Sequence, residues 1–259
     1  MTTISRRKAL TMIGALGATV ALAPSITFAS DKVIICNWDK SFPPYSMERD
    51  GKMTGILVDC MDELLGKRMG FTLEHKGYSW PKAQDLVRAG KADGLCTNDT
   101  DARKQFMYFS EEPVIESLPS IFCAVDNPRI AQINAISTVD ELKNFRQIDY
   151  QGNGWARKTF PPFLRITYVE TLNDVFQTIA RGEADIFVGN GLAAMYAIKQ
   201  TGLKKKIQAR ELPVGEPSSF HFGLRRDYPD AKKIIDDFSG VLDEAMIENA
   251  TRSIIMNYL

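Results

Sequence analysis

The chain has 259 residues, its 32 Lys and Arg balance 32 Asp and Glu, and 44% of it is hydrophobic. That balance describes a globular body and argues against a polyanion-binding surface, because no basic cluster stands out beyond Lys204-Lys205-Lys206, which reads as a solvated turn. Four cysteines without a C-x-x-C pair and only two histidines give no zinc-ligand spacing, so neither a metal nor a cofactor is expected.

The first segment decides the compartment. Ser5-Arg6-Arg7-Lys8 leads into the apolar run 11–23 and then the small residues Thr27-Phe28-Ala29-Ser30, the pattern of an export signal cleaved after Ala29. The Arg6-Arg7 pair resembles a twin-arginine signal. A spanning helix needs about 20 apolar residues, and this run, interrupted by Gly14 and Gly17 and ended by Pro24, falls short. No Cys lies near the cut, which argues against a lipid anchor. The expected location is therefore the periplasm. Cleavage removes Arg6, Arg7 and Lys8 and no acid, leaving a slightly acidic mature chain. In an oxidising compartment Cys36, Cys60, Cys96 and Cys123 permit three full pairings. The expectation is that Cys36 and Cys96 end neighbouring strands, close enough to pair.

About 230 mature residues exceed what one typical core supports, so two lobes are expected. Val33-Ile34-Ile35-Cys36 reads as a buried strand and Ser41-Phe42-Pro43-Pro44-Tyr45 as a rigid loop. Residues 56–69 carry apolar positions at helical spacing and stop at Gly70. Residues 71–75 form the next predicted strand and 81–89 a short helix ended by Gly90, an alternation that marks a parallel sheet. The same grammar restarts with a helix at 139–144, a strand at 147–150 and a helix at 172–180 ended by Gly182. Gly90-Lys91-Ala92-Asp93 and Gly182-Glu183-Ala184-Asp185 echo each other, which suggests two similarly built units. The apolar stretches 120–125 and 220–224 are expected to cross between the units. The predicted layout is then a signal at 1–29, lobe 1 at 30–123, lobe 2 at 124–219, and a return to lobe 1 at 220–259 ending in helices.

In order along the chain, Phe42-Pro43-Pro44-Tyr45, the run 51–59 (GKMTGILVD), Gly90-Lys91-Ala92-Asp93, the run 100–105 (TDARKQ) with Phe109-Ser110, and Gly182-Glu183-Ala184-Asp185 resemble the extracellular solute-binding proteins of family 3, the polar-amino-acid binders of ABC transporters. Each piece is weak alone; their order and spacing carry the resemblance. It implies an α/β chain with the type II periplasmic-binding fold, two Rossmann-like lobes joined by a two-strand hinge. The function it implies is capture of a small carboxylate, an amino acid or organic acid, by lobe closure and delivery to a permease. The protein would act as a monomer that binds no nucleic acid.

The resemblance also implies site residues. Arg103, six residues before Phe109, stands where the family clamps a ligand carboxylate, and a planar guanidinium suits that role. Phe42 matches an aromatic lying over the ligand, and Trp80 stands where a second pocket aromatic is found; Trp38 and Tyr45 are weaker candidates. Asn98 lies where the family supplies Ser or Thr, beside Thr97 and Thr100. Asn153, Gly154 and Trp155 occupy the turn ahead of a lobe 2 helix, whose free N–H groups can meet an anion. Asn190 falls where amino-acid binders present an aspartate to the ligand's ammonium. An amide cannot supply that charge, so either another acid such as Asp39 or Glu216 serves, or the ligand lacks an α-ammonium. Two rival classes stand beside this reading: a dehydratase-like enzyme on the same fold, with a cleft carboxylate such as Asp39 as general acid, and a sensory or accessory binding subunit. Against the enzyme, the sequence has no G-x-S-x-G, H-E-x-x-H or P-loop motif.

Overall fold

The computed structural model describes residues 33–212 and 214–259, so the expected signal segment lies outside the described residues. Strand β1 (Val33–Asp39) is central in its sheet, and for that reason Ile34, Cys36 and Trp38 are all buried. A small antiparallel meander follows, β2 (Ser41–Phe42), β3 (Ser46–Arg49) and β4 (Lys52–Thr54). Helix α1 (Ile56–Met61) widens into a π-type turn over Asp62–Arg68, so the helix expected at 56–69 is present with a change of pitch halfway. Its Ile56, Leu57, Met61, Leu64 and Leu65 face the core. Strand β5 (Thr72–Tyr78) runs parallel to β1 on one side, and helix α2 (Trp80–Arg88) leads to β6 (Gly94–Thr97), parallel on the other. Helix α3 (Asp101–Lys104), β7 (Met107–Phe109) and β8 (Ile115–Ser117) complete this stretch.

Strand β9 (Pro119–Ala124) opens a second sheet. Helix α4 (Ile130–Asn134) precedes residues 140–144, which form a 3-10 turn where an α-helix was expected. Then come β10 (Gln147–Tyr150), α5 (Gly154–Thr159), β11 (Ile166–Val169), α6 (Leu172–Ala180), β12 (Phe187–Asn190), α7 (Gly191–Gln200) and β13 (Ile207–Glu211). Strand β14 (Ser218–Arg225) and helices α8 (Ala231–Ile247) and α9 (Ala250–Tyr258) return to the first body.

The two bodies share one plan. In the first the order is β5-β1-β6-β14-β7, with β14 antiparallel to β6. In the second, β11 pairs in parallel with β10, Gln147 bridges to Ile186 beside β12, and β12 lies antiparallel to β9. Each body thus sets its second strand, first strand, third strand and one antiparallel strand in that order, and the antiparallel strand is the one exchanged along the chain. Sheet membership changes near Leu118 and again within 212–217, so the apolar stretches expected to cross are each paired inside one sheet. That passage falls a few residues ahead of the 123/124 and 219/220 boundaries, because main-chain pairing rather than hydrophobicity decides which body a strand joins. The cores are separate: α8 lays Ile234, Ile235 and Phe238 under the first sheet, while Phe122, Phe176 and Phe187 meet at ring distances of 5.5 to 6.0 Å in the second.

The Gly-x-Ala-Asp echo has a physical basis. Gly90 and Gly182 sit at φ 69° and 72°, a region open to glycine, and end α2 and α6. Three residues later Asp93 accepts the backbone N–H of Ile35 at 2.8 Å and Arg225 Nε at 2.9 Å. Asp185 likewise accepts the backbone N–H of Arg146 at 2.9 Å and that residue's guanidinium at 2.8 Å. Each aspartate ties the incoming third strand to the first.

All four cysteines are buried free thiols, which corrects the expected Cys36–Cys96 pair. Strands β1 and β6 are neighbours, but the register sets Cys36 against Gly94. Cys96 lies two residues farther along, and about 6 to 7 Å of strand rise combined with about 4.8 Å between strands sets its Cα about 8 Å from that of Cys36, beyond disulfide reach. Burial pushes the Cys36 thiol far above its usual range and Cys60 up to about 12. Among the described residues no helix is long and apolar enough to cross a membrane.

Candidate functional site

A cavity of about 230 Å³ opens at the carboxyl ends of β1 and β6, the crevice where open α/β sheets hold ligands. Strand β1 contributes Trp38 and Asp39, β6 contributes Cys96 and Thr97, the following turn brings Asn98, and α3 brings Arg103. Phe42, Ser46, Leu57, Trp80, Ser218 and Phe220 close the remaining walls. The loop between β1 and β3 is tied to itself: Ser41 N–H donates to Asp39 Oδ1 at 2.9 Å and Ser46 Oγ donates to Asp39 O at 2.6 Å. Phe42 stacks on Tyr45 at 4.9 Å, and Tyr45 packs against Phe220 at 4.5 Å, so an exposed ring is held over the cavity by two buried ones.

Arg103 is held on three sides. Its Nε donates to Gln84 Oε1 and its Nη1 to Asn98 O, both at 2.9 Å, while the guanidinium carbon lies 5.1 Å from the Trp80 ring centroid. No carboxylate pairs with it among the described residues, and partial burial lowers its pKa. The group stays cationic all the same, since a guanidinium starts above 12. A fixed, half-buried cation on a cavity wall, without a carboxylate partner among the described residues, has the chemistry to receive an anion. Asn98 directs its amide to Ser219 O at 2.8 Å, so it braces the turn under Arg103 against β14.

Of the residues singled out in the sequence, the structure brings Arg103, Phe42, Trp80, Thr97 and Asn98 to this cavity, together with the weaker candidate Trp38. It does not bring Asn153, Gly154, Trp155 or Asn190 there. Asn153 is buried; its Oδ1 caps α5 through Ala156 N–H at 3.2 Å and its Nδ2 donates to Asp149 at 3.0 and 3.1 Å. Gly154 is the first residue of α5. Trp155 donates to Glu216 O at 3.2 Å and packs on Phe160. Asn190 caps α7, and its Oδ1 receives Ala193 N–H at 3.0 Å, Tyr45 OH at 2.7 Å and Ser117 Oγ at 3.1 Å. With three donors on one carbonyl oxygen it has no room for a ligand ammonium; it links the second body to the first instead. Tyr45, from the first body, has its hydroxyl pushed up to about 12 by burial and donates as a neutral phenol.

Asp39, Ser46, Leu57, Cys96, Ser218 and Phe220 were not among the chosen site residues. Asp39 stood only as an alternative acid, and nothing local marks Ser218 and Phe220, which arrive from a strand far along the chain.

Beneath the α5 cap lies a pH-sensitive group. Asp149 is buried, and that burial raises its pKa to about 6 against hydrogen bonds from Asn153 and Tyr150 N–H that pull it down. Its folded pKa exceeds the unfolded value near 3.9. The folded state therefore binds the extra proton, and this stabilisation, full below about pH 4, is lost as pH rises through about 6. Asp149→Asn should remove that slope. Relative to wild type, the variant is expected to gain about 2 to 3 kcal/mol between pH 4 and pH 7, read by urea unfolding at both values; parallel pH profiles would contradict it.

The model for bacterial extracellular solute-binding proteins, family 3, matches residues 34–249. PatH of Vibrio harveyi, by name an amino-acid ABC transporter-binding protein, is 27% identical over 209 residues, covering 77% of this chain and 76% of its own. Among solved structures, the unliganded open L-cystine solute receptor of Neisseria gonorrhoeae is similar with TM-score 0.70 and 16% identity, over 88% of this chain and 93% of that one. An ancestral cationic amino acid solute-binding protein gives 0.68 and 20%, over 87% and 95%. The second substrate-binding domain of Lactococcus lactis GlnP, also open, gives 0.65 and 22%, over 88% and 95%. These likenesses show the type II periplasmic-binding fold.

Proposed function

Because the chain belongs to the bacterial extracellular solute-binding proteins of family 3, we propose that it captures an amino acid in the periplasm and delivers it, as a monomer, to an ABC transporter permease. The observation that carries this reading is Arg103: a half-buried cation, oriented by Gln84 and Asn98, facing a cavity and lacking a carboxylate partner among the described residues. It takes the ligand carboxylate through paired N–H donors.

Asp39 decides between an amino acid and a plain organic acid. It lines the same cavity and uses one oxygen on Ser41 N–H, leaving the other for a ligand cation. A cavity walled by one cation and one anion fits a zwitterion, and Asp39 takes the ammonium that Asn190 cannot. The aromatic walls Trp38, Phe42 and Trp80 exclude water and strengthen both contacts.

For closure, the second body swings toward the cavity about the strand crossings near Leu118 and 212–217. The α5 turn of Asn153, Gly154 and Trp155 then meets the solute from the far side, and ligand shifts the population by touching both walls. Turnover is not part of this reading. His221 Nδ1 is 3.0 Å from the Ser110 carbonyl and neither histidine lines the cavity.

A thermal-shift screen of the mature chain against amino acids, 2-oxo acids and dicarboxylates tests the proposal. An α-amino acid should raise the melting temperature with one-to-one stoichiometry and no product formed. Stabilisation by 2-oxo acids alone would remove Asp39 from its role, and no shift from any of them would reject the carboxylate clamp.

A further inference from the structure

Trp38 forms part of the cavity wall, and its indole N–H is held from behind by a histidine. Trp38 Nε1 donates to His75 Nδ1 at 2.9 Å, and His75 Nε2 lies 3.0 Å from Asp62 Oδ1. An indole nitrogen is a donor only. His75 must therefore present a lone pair at Nδ1 and carry its proton on Nε2, where it donates to Asp62. The relay runs Trp38 to His75 to Asp62, from the cavity wall to the surface: Trp38 is 2% exposed, whereas the Asp62 side chain is 55% exposed.

We propose that His75 is a positioning residue for the cavity wall, holding Trp38 in place only while the imidazole is neutral. This rests on the reading of the cavity as the solute site. A second proton on His75 can go only to Nδ1, which then points an N–H at the indole N–H. The bond is lost and two donors face each other. Trp38 is too buried for water to take over its N–H, so the ring must shift to find another acceptor. Acid would then loosen one wall of the cavity.

The charged groups around His75 come from three elements. Asp62 faces Nε2, and Asp59 on α1 interacts with the ring electrostatically. On β1, Cys36 lies level with His75, its thiol neutral because burial drives its pKa far up. On β5 itself, Glu74 and Lys76 pair with each other at 3.0 Å. Opposite the two acids stands the buried indole donor of Trp38, so the ring joins a solvent-facing carboxylate to the cavity wall.

The relay can be read without any ligand. In a nitrogen-labelled sample the indole N–H groups of Trp38, Trp80 and Trp155 are separate reporters, and the His75 ring C–H signals report its protonation. Titrated between about pH 8 and 5, the Trp38 indole signal should move with the same midpoint as the His75 ring, while the Trp80 and Trp155 signals do not follow it. His75→Gln offers an acceptor that does not titrate, so it should hold Trp38 and abolish the movement. Acrylamide quenching of a Trp80→Phe/Trp155→Phe chain should rise through the same transition. A Trp38 signal that stays still while His75 titrates overturns the proposal, and so does a His75 that takes up no proton in this range. Either result would leave the Arg103 reading untouched, because none of these measurements involves a solute.

Discussion

Arg103→Ala should weaken binding of the amino acid found by screening by roughly 30- to 150-fold while leaving the melting temperature of the unliganded chain nearly unchanged. Hydrogen bonds to charged groups contribute about 1.5 to 3 kcal/mol each, and about 1.4 kcal/mol is tenfold in affinity. Two parallel bonds to one carboxylate, partly offset by water entering the truncated site, give a loss of about 2 to 3 kcal/mol. The fold has little at stake, because among the described residues the Arg103 side chain bonds Gln84 Oε1 and Asn98 O and stacks on Trp80. Arg103→Lys separates charge from shape: it keeps the cation and loses the planar fork, so its affinity should fall between wild type and alanine. Calorimetric titration reads all three chains. Alanine binding as tightly as wild type would show that the guanidinium does not hold the solute.

The sequence exposed this site unevenly, for physical reasons. Local chemistry reaches the reader directly: Gly90 and Gly182 mark helix ends because a left-handed residue is needed there, and buried β1 announces itself as a run of apolar residues. The first-body wall around Arg103 was read from the family resemblance, and Thr97, Asn98 and Arg103 line one cavity because residues this close in sequence stay close in space. Long-range pairing was not legible. Ser218 and Phe220 reach the cavity because β14 inserts beside β6, with His221 opposite Thr97, a register no local pattern encodes. The same register logic set Gly94 rather than Cys96 against Cys36. Asn190 shows a different limit: its amide sits at the end of a strand and the start of α7, and capping, the Tyr45 link and ligand contact all call for the same short polar side chain.

Asp93→Ala should cost about 3 to 4 kcal/mol of stability, and Asp185→Ala noticeably less, although the two residues occupy equivalent places. Asp93 joins β1 to β6 through Ile35 N–H and pairs with Arg225, and both side chains of that pair are largely shielded, 10% and 18% exposed. Removing the carboxylate strands a backbone donor in the sheet and leaves a shielded guanidinium with Asp227 as its remaining acid partner among the described residues, itself 77% exposed. Breaking a buried pair by deleting one partner costs about 3 to 5 kcal/mol, and Asp227 offsets a little of that. At the other site Arg146 is 60% exposed, so water solvates it once Asp185 is gone, and the loss reduces mainly to the Arg146 N–H and the Asn127 contact, about 1 to 2 kcal/mol. Asp93→Asn should recover part of the loss, since its carbonyl still accepts from Ile35. Urea unfolding of the three variants, followed by circular dichroism, gives the order. Asp185→Ala proving as damaging as Asp93→Ala would mean that the strand tie alone, rather than shielding of the arginine, sets the stability of each body.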